Sequence, residues 1–188
     1  MKCFVIVLPN NINADQQYIR FMTQAKEFKW DVEKFDAVIG KNLKTEDFTN
    51  AGLYIKPDTK ISKRPGALGC FMSHWKLWHK CVQLNEDCTI FESDAYITGP
   101  MPQLDLSTYL VKLHLDVGTN HSNVSGQWSK QAHAYSLSPK HAQMLIDGAL
   151  SKNVKPADVM IGDAFVPWKH YEVDLIPQMK IGPSTTAR

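Results

Sequence analysis

Arg64-Pro65-Gly66-Ala67-Leu68-Gly69-Cys70-Phe71-Met72-Ser73-His74-Trp75-Lys76-Leu77-Trp78 and, after a polar break at Asn85-Glu86-Asp87, Cys88-Thr89-Ile90-Phe91-Glu92-Ser93-Asp94-Ala95-Tyr96-Ile97 decide how this chain folds. Leu68, Phe71, Met72, Trp75, Trp78 and Val82 recur at spacings of three and four, which predicts an amphipathic helix with that face in the core. Cys88 to Phe91 is a short apolar run bounded like a buried strand, and it ends directly in Glu92-Ser93-Asp94. In open α/β sheets ligands collect outside the carboxyl ends of the strands. Alternate residues of an extended segment point the same way, so Glu92 and Asp94 share a direction that Ser93 does not. Two carboxylates so placed suit a hard divalent cation, Mn2+ or Mg2+, above all when a diphosphate brings further oxygens.

The 188 residues suffice for one domain that buries roughly 70% of its unfolded surface, and a single domain over residues 1–188 is expected. A hydrophobic content of 44% and a charged content of 21% are ordinary for a globular protein and argue against disorder. The net charge of +2 is too small to indicate nucleic acid, although Lys56, Lys60, Lys63 and Arg64 form a local basic patch ahead of the helix. Cysteines 3, 70, 81 and 88 lack Cys-x-x-Cys spacing and read as reduced core residues. The apolar run Cys3 to Leu8 is shorter than a secretory core, and no run approaches the ~20 apolar residues of a membrane helix. The expectation is a cytoplasmic protein, with the sequons at Asn120 and Asn123 incidental.

Cys3 to Leu8, closed by Pro9-Asn10-Asn11, reads as a central parallel strand feeding a loop. A helix follows from about Asp15 to Lys29 with Tyr18, Ile19, Met22, Ala25 and Phe28 on its inner face. Val32 to Ile39 then gives a second strand ending at Gly40. This βαβ unit places two strands in parallel. Residues 41–63 form an irregular excursion with one short helix at Thr45 to Ala51, suited to covering a ligand. Lys63 and Arg64 just before the Gly66 turn make a helix amino terminus ready for an anion. Val111 to Val117 alternates like a strand and carries His114 on the face opposite its valines and leucines. Gly118 to Lys130 is a polar loop. His133 to Leu137 is a strand running into a helix capped by Ser138 with Pro139 at its first position. Tyr171 to Ile176 reads as the last strand.

The pattern Gly66-x-x-Gly69-Cys70-x-x-Ser73-His74-x-x-x-Trp78 with Ile90-Phe91-Glu92-Ser93-Asp94-Ala95 resembles the signature of glycosyltransferase family 25, which includes lipooligosaccharide and collagen galactosyltransferases. Tyr135, Ser138, Ala142 and Leu145, and then Pro156-Ala157-Asp158, continue the likeness. Where family members carry Leu-Glu-Asp-Asp, this chain has Ser93 in place of the middle acid. The resemblance implies an α/β, GT-A-like (Rossmann-like) nucleotide-sugar-binding domain with a mixed, mainly parallel sheet. It also implies metal-dependent, inverting transfer of galactose or glucose from a UDP-sugar to a hydroxyl on a glycan, a protein side chain or a modified nucleobase. Pro9, Asn10, Asn11, Lys63, Arg64, Gly66, Gly69, Ser73, His74 and Ser93 are then expected around the donor, and Glu92 and Asp94 on the metal. Asp158, Asp163 and His114 are the candidates for removing the acceptor's proton. Trp75 and Trp78 are read as core aromatics and not as a sugar platform. The competing readings are a degenerate member that binds a nucleotide or glycan without turnover, and a metal-dependent phosphohydrolase.

Overall fold

The computed structural model describes residues 1–114, 131–162, 165–171, 173 and 175–176. Its elements in chain order are β1 (Lys2–Val7), α1 (Ile12–Glu27), β2 (Val32–Asp36), a 3-10 turn (Gly40–Asn42), α2 (Thr45–Thr49), α3 (Pro65–Leu84), β3 (Cys88–Glu92), β4 (Leu110–Lys112), β5 (Ala134–Leu137), α4 (Pro139–Ser151), α5 (Ala157–Gly162) and β6 (Trp168–His170). The six strands form one sheet in the order β2-β1-β3-β5-β4-β6. β1 pairs in parallel with β2 and β3, β4 pairs in parallel with β6, and β5 runs antiparallel to both of its neighbours. This is the mixed, mainly parallel α/β sheet expected.

The continuous apolar runs are explained by burial on both faces. On β1, Phe4 and Ile6 point into a core shared with α3 and α4, whereas Cys3, Val5 and Val7 point into a second core under α1. β3 divides the same way, with Cys88 and Ile90 on the first side and Phe91 on the second. Phe91 there meets Phe21 and Trp30 at ring-centroid distances of 5.1 and 5.4 Å. The first core takes Phe71, Met72, Trp75, Leu77 and Trp78 from α3, so both tryptophans are core residues.

The inner face of α1 differs from the periodicity: it is built on Ala14, Phe21, Gln24 and Ala25, while Ile19 is 65% exposed. Of the alternation Val111 to Val117, the described residues give a strand over Leu110–Lys112, paired with β5, and residues 115–130 lie outside the described residues. Among the described residues the last strand is Trp168–His170, paired with the three residues of β4, while the expected strand Tyr171 to Ile176 lies partly outside the described residues.

The glycines of the decisive stretch have a packing cause. A Cβ on Gly69 would lie 2.4 Å from the carbonyl oxygen of Val38 and 2.7 Å from the nitrogen of Gly40; one on Gly40 would lie 1.7 Å from the Pro65 oxygen. Backbone therefore touches backbone where α3 begins against the segment leaving β2. Ser73, fully buried, locks the contact by accepting the Val38 N–H at 2.9 Å while donating to the Gly69 carbonyl at 2.7 Å. We predict that Gly69→Ala lowers stability by about 1–3 kcal/mol through overpacking, read from urea unfolding. A variant as stable as the parent would contradict this packing.

Candidate functional site

The five strands that share a direction end at one edge of the sheet, and β5 begins there. The edge thus gathers the residues after β1 and β2, the end of β3, His133 and the end of β4. The ladder carries on just past the strands: Ala37 donates to the Val7 carbonyl at 2.8 Å, Glu92 to the His133 carbonyl at 2.8 Å, and Ser93 to the Ile6 carbonyl at 3.1 Å. A turn closed by the Ala95 N–H on the Glu92 carbonyl at 3.0 Å then presents Asp94. Helix α3 starts at this edge, which brings its first turns against Glu92.

The contacts of Glu92 are specific. Its Oε1 receives the Cys70 thiol at 3.5 Å and lies 3.4 Å from His74 Nε2. His74 is fully buried, and its other nitrogen lies 2.8 Å from the hydroxyl of fully buried Tyr135, which also accepts the Trp78 indole N–H at 2.9 Å. Indole only donates, so the hydroxyl proton is left for Nδ1, and Nε2 is the nitrogen that carries a proton toward the carboxylate. Trp78, Tyr135, His74 and Glu92 thus form a directed chain of hydrogen bonds.

Charge separates the acids of this edge. Burial pushes the Glu92 carboxyl up, but the His74 hydrogen bond, the charges of His74 and His133 and the Cys70 thiol outweigh it and leave Glu92 below its ordinary value. Asp158, half-buried on α5, is raised, first by burial and further by the negative charge of Glu92, with Lys112 acting in the opposite sense. The Cys70 thiol is held well above its ordinary value, by burial and then by Glu92, with Asp158 and Asp94 adding to it. Cys70, Glu92, Asp94 and Asp158 therefore occupy one electrostatic neighbourhood.

An open groove of about 700 Å³, within the size range of small-ligand sites, lies along the segment that leaves β2, against the face of α3 that carries Met72, Trp75 and Lys76 and not the face of Cys70 and His74. Pro9, Val38, Ile39, Asn42, Trp75 and Lys76 are among its walls, and α2 closes it through Asp47 and Asn50. The excursion after β2 thus forms a wall of the groove.

The expected site residues fall into three groups. Glu92 and His74 are in contact, Asp94 and Asp158 bear on Cys70 through their charge, and Pro9 lines the groove. Several others have structural employment: Asn11 caps α1 by accepting the Ala14 N–H at 3.0 Å, and Asn10 takes the left-handed turn conformation at φ 56°. Ser93 donates to Gln17 at 3.3 Å, and Gly69 and Ser73 make the backbone contact described above. Lys63 pairs with Asp58 at 3.2 Å on the surface, while Arg64 is the exposed residue preceding α3 and Gly66 lies half-buried in its first turn. His114 corrects the expectation of an acceptor-facing base. It is 1% exposed, its ring lies 4.1 Å from that of His133, and burial followed by the charges of His133, Lys112 and His170 pushes it down to about 2. Asp163 lies outside the described residues.

Sequence reasoning missed Cys70 as a partner of Glu92, although it sits one turn before His74 on the same helix face. It also missed Tyr135, His133 and Lys112. Lys112 is fully buried, donates to the Gln131 carbonyl at 3.2 Å and sits over the Trp168 ring at 4.8 Å. A lysine in an alternating pattern reads as solvent-facing, so only tertiary structure reveals it.

Residues 1–112 match the family model described as glycosyltransferase family 25 (LPS biosynthesis protein). A protein of Anopheles gambiae named Glycosyltransferase 25 family member is 34% identical over 92 residues, covering 44% of this chain and 16% of that protein. One of Aedes aegypti with the same name is 36% identical over 74 residues, 36% of this chain and 12% of the relative. The chain thus matches only a small part of the length of these curated relatives. Among solved structures, that of a glycosyltransferase involved in the glycosylation of the major capsid of PBCV-1 is similar at a TM-score of 0.39 and 10% identity, covering 78% of this chain and 66% of the other.

The hydrogen-bond chain gives a direct expectation. Tyr135→Phe strands a buried indole N–H and one imidazole nitrogen, which costs about 1–3 kcal/mol, read from chemical denaturation. A loss below about 0.5 kcal/mol, the range of inert surface changes, would show that the hydroxyl does not bridge Trp78 and His74.

Proposed function

The chain belongs to glycosyltransferase family 25, and from that premise we propose that it transfers a hexose, galactose or glucose, from a UDP-sugar to an acceptor hydroxyl by a single inverting displacement. The observation that carries this reading is the Glu92-Ser93-Asp94 turn. It sits at the edge of the sheet where β1, β2 and β3 end, the edge whose loops after β1 and β2 also line a groove of nucleotide size, and its Glu92 acts on the raised carboxyl of Asp158.

In this reading the nucleoside occupies the groove walled by Pro9, Val38 and Trp75. The diphosphate lies toward Asp94 and the start of α3, where the positive end of the helix dipole favours an anion. The carboxylates of Glu92 and Asp94 are hard oxygen donors and fit Mn2+ or Mg2+, with Asp94 the direct ligand and Glu92 assisting directly or through water. Such an ion stabilises the negative charge of the departing diphosphate. His74 holds the Glu92 carboxylate ionised and fixed in direction, which Tyr135 and Trp78 enforce in turn.

The acceptor's proton goes to Asp158. Two carboxyls whose surroundings drive them in opposite directions divide the roles of ionised anchor and base: Glu92 is lowered and Asp158 raised. A raised carboxylate is the better proton acceptor near neutral pH. Asp163 remains the competing acid, as the expectation had it. Acceptors consistent with the family are a lipopolysaccharide sugar, a hydroxylated protein side chain or a hydroxyl on a modified nucleobase. No helix among the described residues is long and apolar enough to cross a membrane, and a cytoplasmic location is part of the proposal.

The test is release of UDP from UDP-galactose and UDP-glucose with Mn2+ or Mg2+. The parent releases UDP, and Asp94→Asn lowers the rate by about 10²–10³, the scale of losing one preorganised charge-stabilising group. UDP binding with no turnover under any cation would instead identify a nucleotide-binding module.

The pH profile tests the base separately. Asp158 acts deprotonated, so kcat/KM rises with pH through an apparent pKa above the ordinary aspartate value of about 3.9, and Asp158→Asn abolishes that limb with donor binding intact. An unchanged limb in the variant assigns the base elsewhere.

A further inference from the structure

Cys70, His74 and Glu92 offer a sulfur, a nitrogen and an oxygen, all within 4.8 Å of one another. The two contacts at the carboxylate are Sγ to Oε1 at 3.5 Å and Nε2 to Oε1 at 3.4 Å. As hydrogen bonds they are long, since a charge-assisted N–H to carboxylate bond settles near 2.7–2.9 Å. These two distances match edges of a coordination tetrahedron, and the third, Sγ to Nε2, lies within 4.8 Å. Zinc bonds of about 2.3 Å to sulfur and 2.0–2.1 Å to nitrogen and oxygen, opened to the tetrahedral angle, set ligand atoms roughly 3.3–3.6 Å apart.

We propose that Cys70, His74 and Glu92 form a three-ligand site for a thiophilic divalent cation of the zinc type, with its fourth position open. This differs in kind from the hard-cation role of the Glu92 and Asp94 oxygens, because thiolate and imidazole select borderline and soft metals.

The supporting structure is rigid. Cys70 and His74 are four residues apart on α3, so both face the sheet from one helical surface. Glu92 is fixed by its place at the end of β3. The His74 ring is oriented before any ion arrives, because Tyr135 holds Nδ1, as an outer partner commonly does for a metal-bound histidine. Access comes from the side of Glu92, whose side chain is 27% exposed.

On binding, the thiol gives its proton to water and sulfur joins the ion as thiolate. The imidazole exchanges its Nε2 proton for one on Nδ1, which Tyr135 then accepts. The tyrosine hydroxyl loses its own acceptor in that exchange, which moderates the affinity. Resting on the transferase reading, one consequence is regulatory: an ion held here takes Glu92 away from the donor site, so zinc inhibits in competition with the activating cation.

The experiment uses Co2+ as an optical probe of the free protein, with no donor or acceptor present. One equivalent of Co2+ should produce the intense absorption of a tetrahedral site together with a thiolate-to-cobalt charge-transfer band, and Zn2+ should bleach both. Cys70→Ser should abolish the charge-transfer band and weaken binding at least tenfold. Glu92→Gln, nearly isosteric, should keep the band and weaken binding at least tenfold. Absence of the spectrum in the parent overturns the proposal, as does an undiminished band in Cys70→Ser, which would place the metal on Cys3, Cys81 or Cys88. Because no turnover is read, failure here leaves the transferase reading standing, and failure of UDP release leaves this spectrum unaffected.

Discussion

A carboxylate at the end of a buried strand is costly unless something holds its charge, and here that is a histidine with no exposure of its own. Glu92 is paired to His74, His74 to Tyr135 and Tyr135 to Trp78, so the chain of polar contacts crosses from β3 to α3, to β5 and back to α3. Each member satisfies the next, which is the condition under which a buried polar network specifies a structure. The apolar residues around it, Phe71, Leu77 and Ile90 among them, bury the sheet face. The network fixes where along that face α3 comes to rest.

The same placement organises the edge. Seating α3 at His74 and Glu92 drives its first turn against the segment leaving β2, where only glycine fits at 40 and 69. That segment and Trp75 form the groove, so the groove and the packing of the decisive helix are one arrangement seen from two sides. The acids then divide by surroundings: Glu92 is held below its ordinary value, Asp94 follows in the turn, and Asp158 on α5 keeps a raised affinity for protons. The transfer chemistry proposed above needs those distinct states at one place.

Much of this was legible in the sequence because the signals were local. The apolar run Cys3 to Leu8, the spacing of Phe71, Met72, Trp75 and Trp78, and Ser138-Pro139 as a helix start each stem from one element, and each appears as read. That the strand ends at the acids was likewise readable from the apolar run Cys88 to Phe91, although the strand stops at Glu92 and Asp94 lies in the turn that follows, so strand alternation does not extend to it. What escaped were pairings across elements. No spacing joins Tyr135 to His74 or Lys112 to Trp168. The glycines at 66 and 69 read as a ligand turn, and at 69 the tighter constraint is the Val38 backbone. His114 shows the opposite error, since alternation gives a strand's two faces without saying that both are covered.

The central claim is that a nucleotide donor runs from the groove beside Trp75 to the turn holding Asp94. A crystal structure of the protein with UDP and Mn2+ tests it most directly. The account requires the uracil and ribose against Pro9, Val38 and Trp75, with the ion bridging the diphosphate and Asp94. A nucleotide seated elsewhere, or a manganese bound away from Asp94, would contradict it.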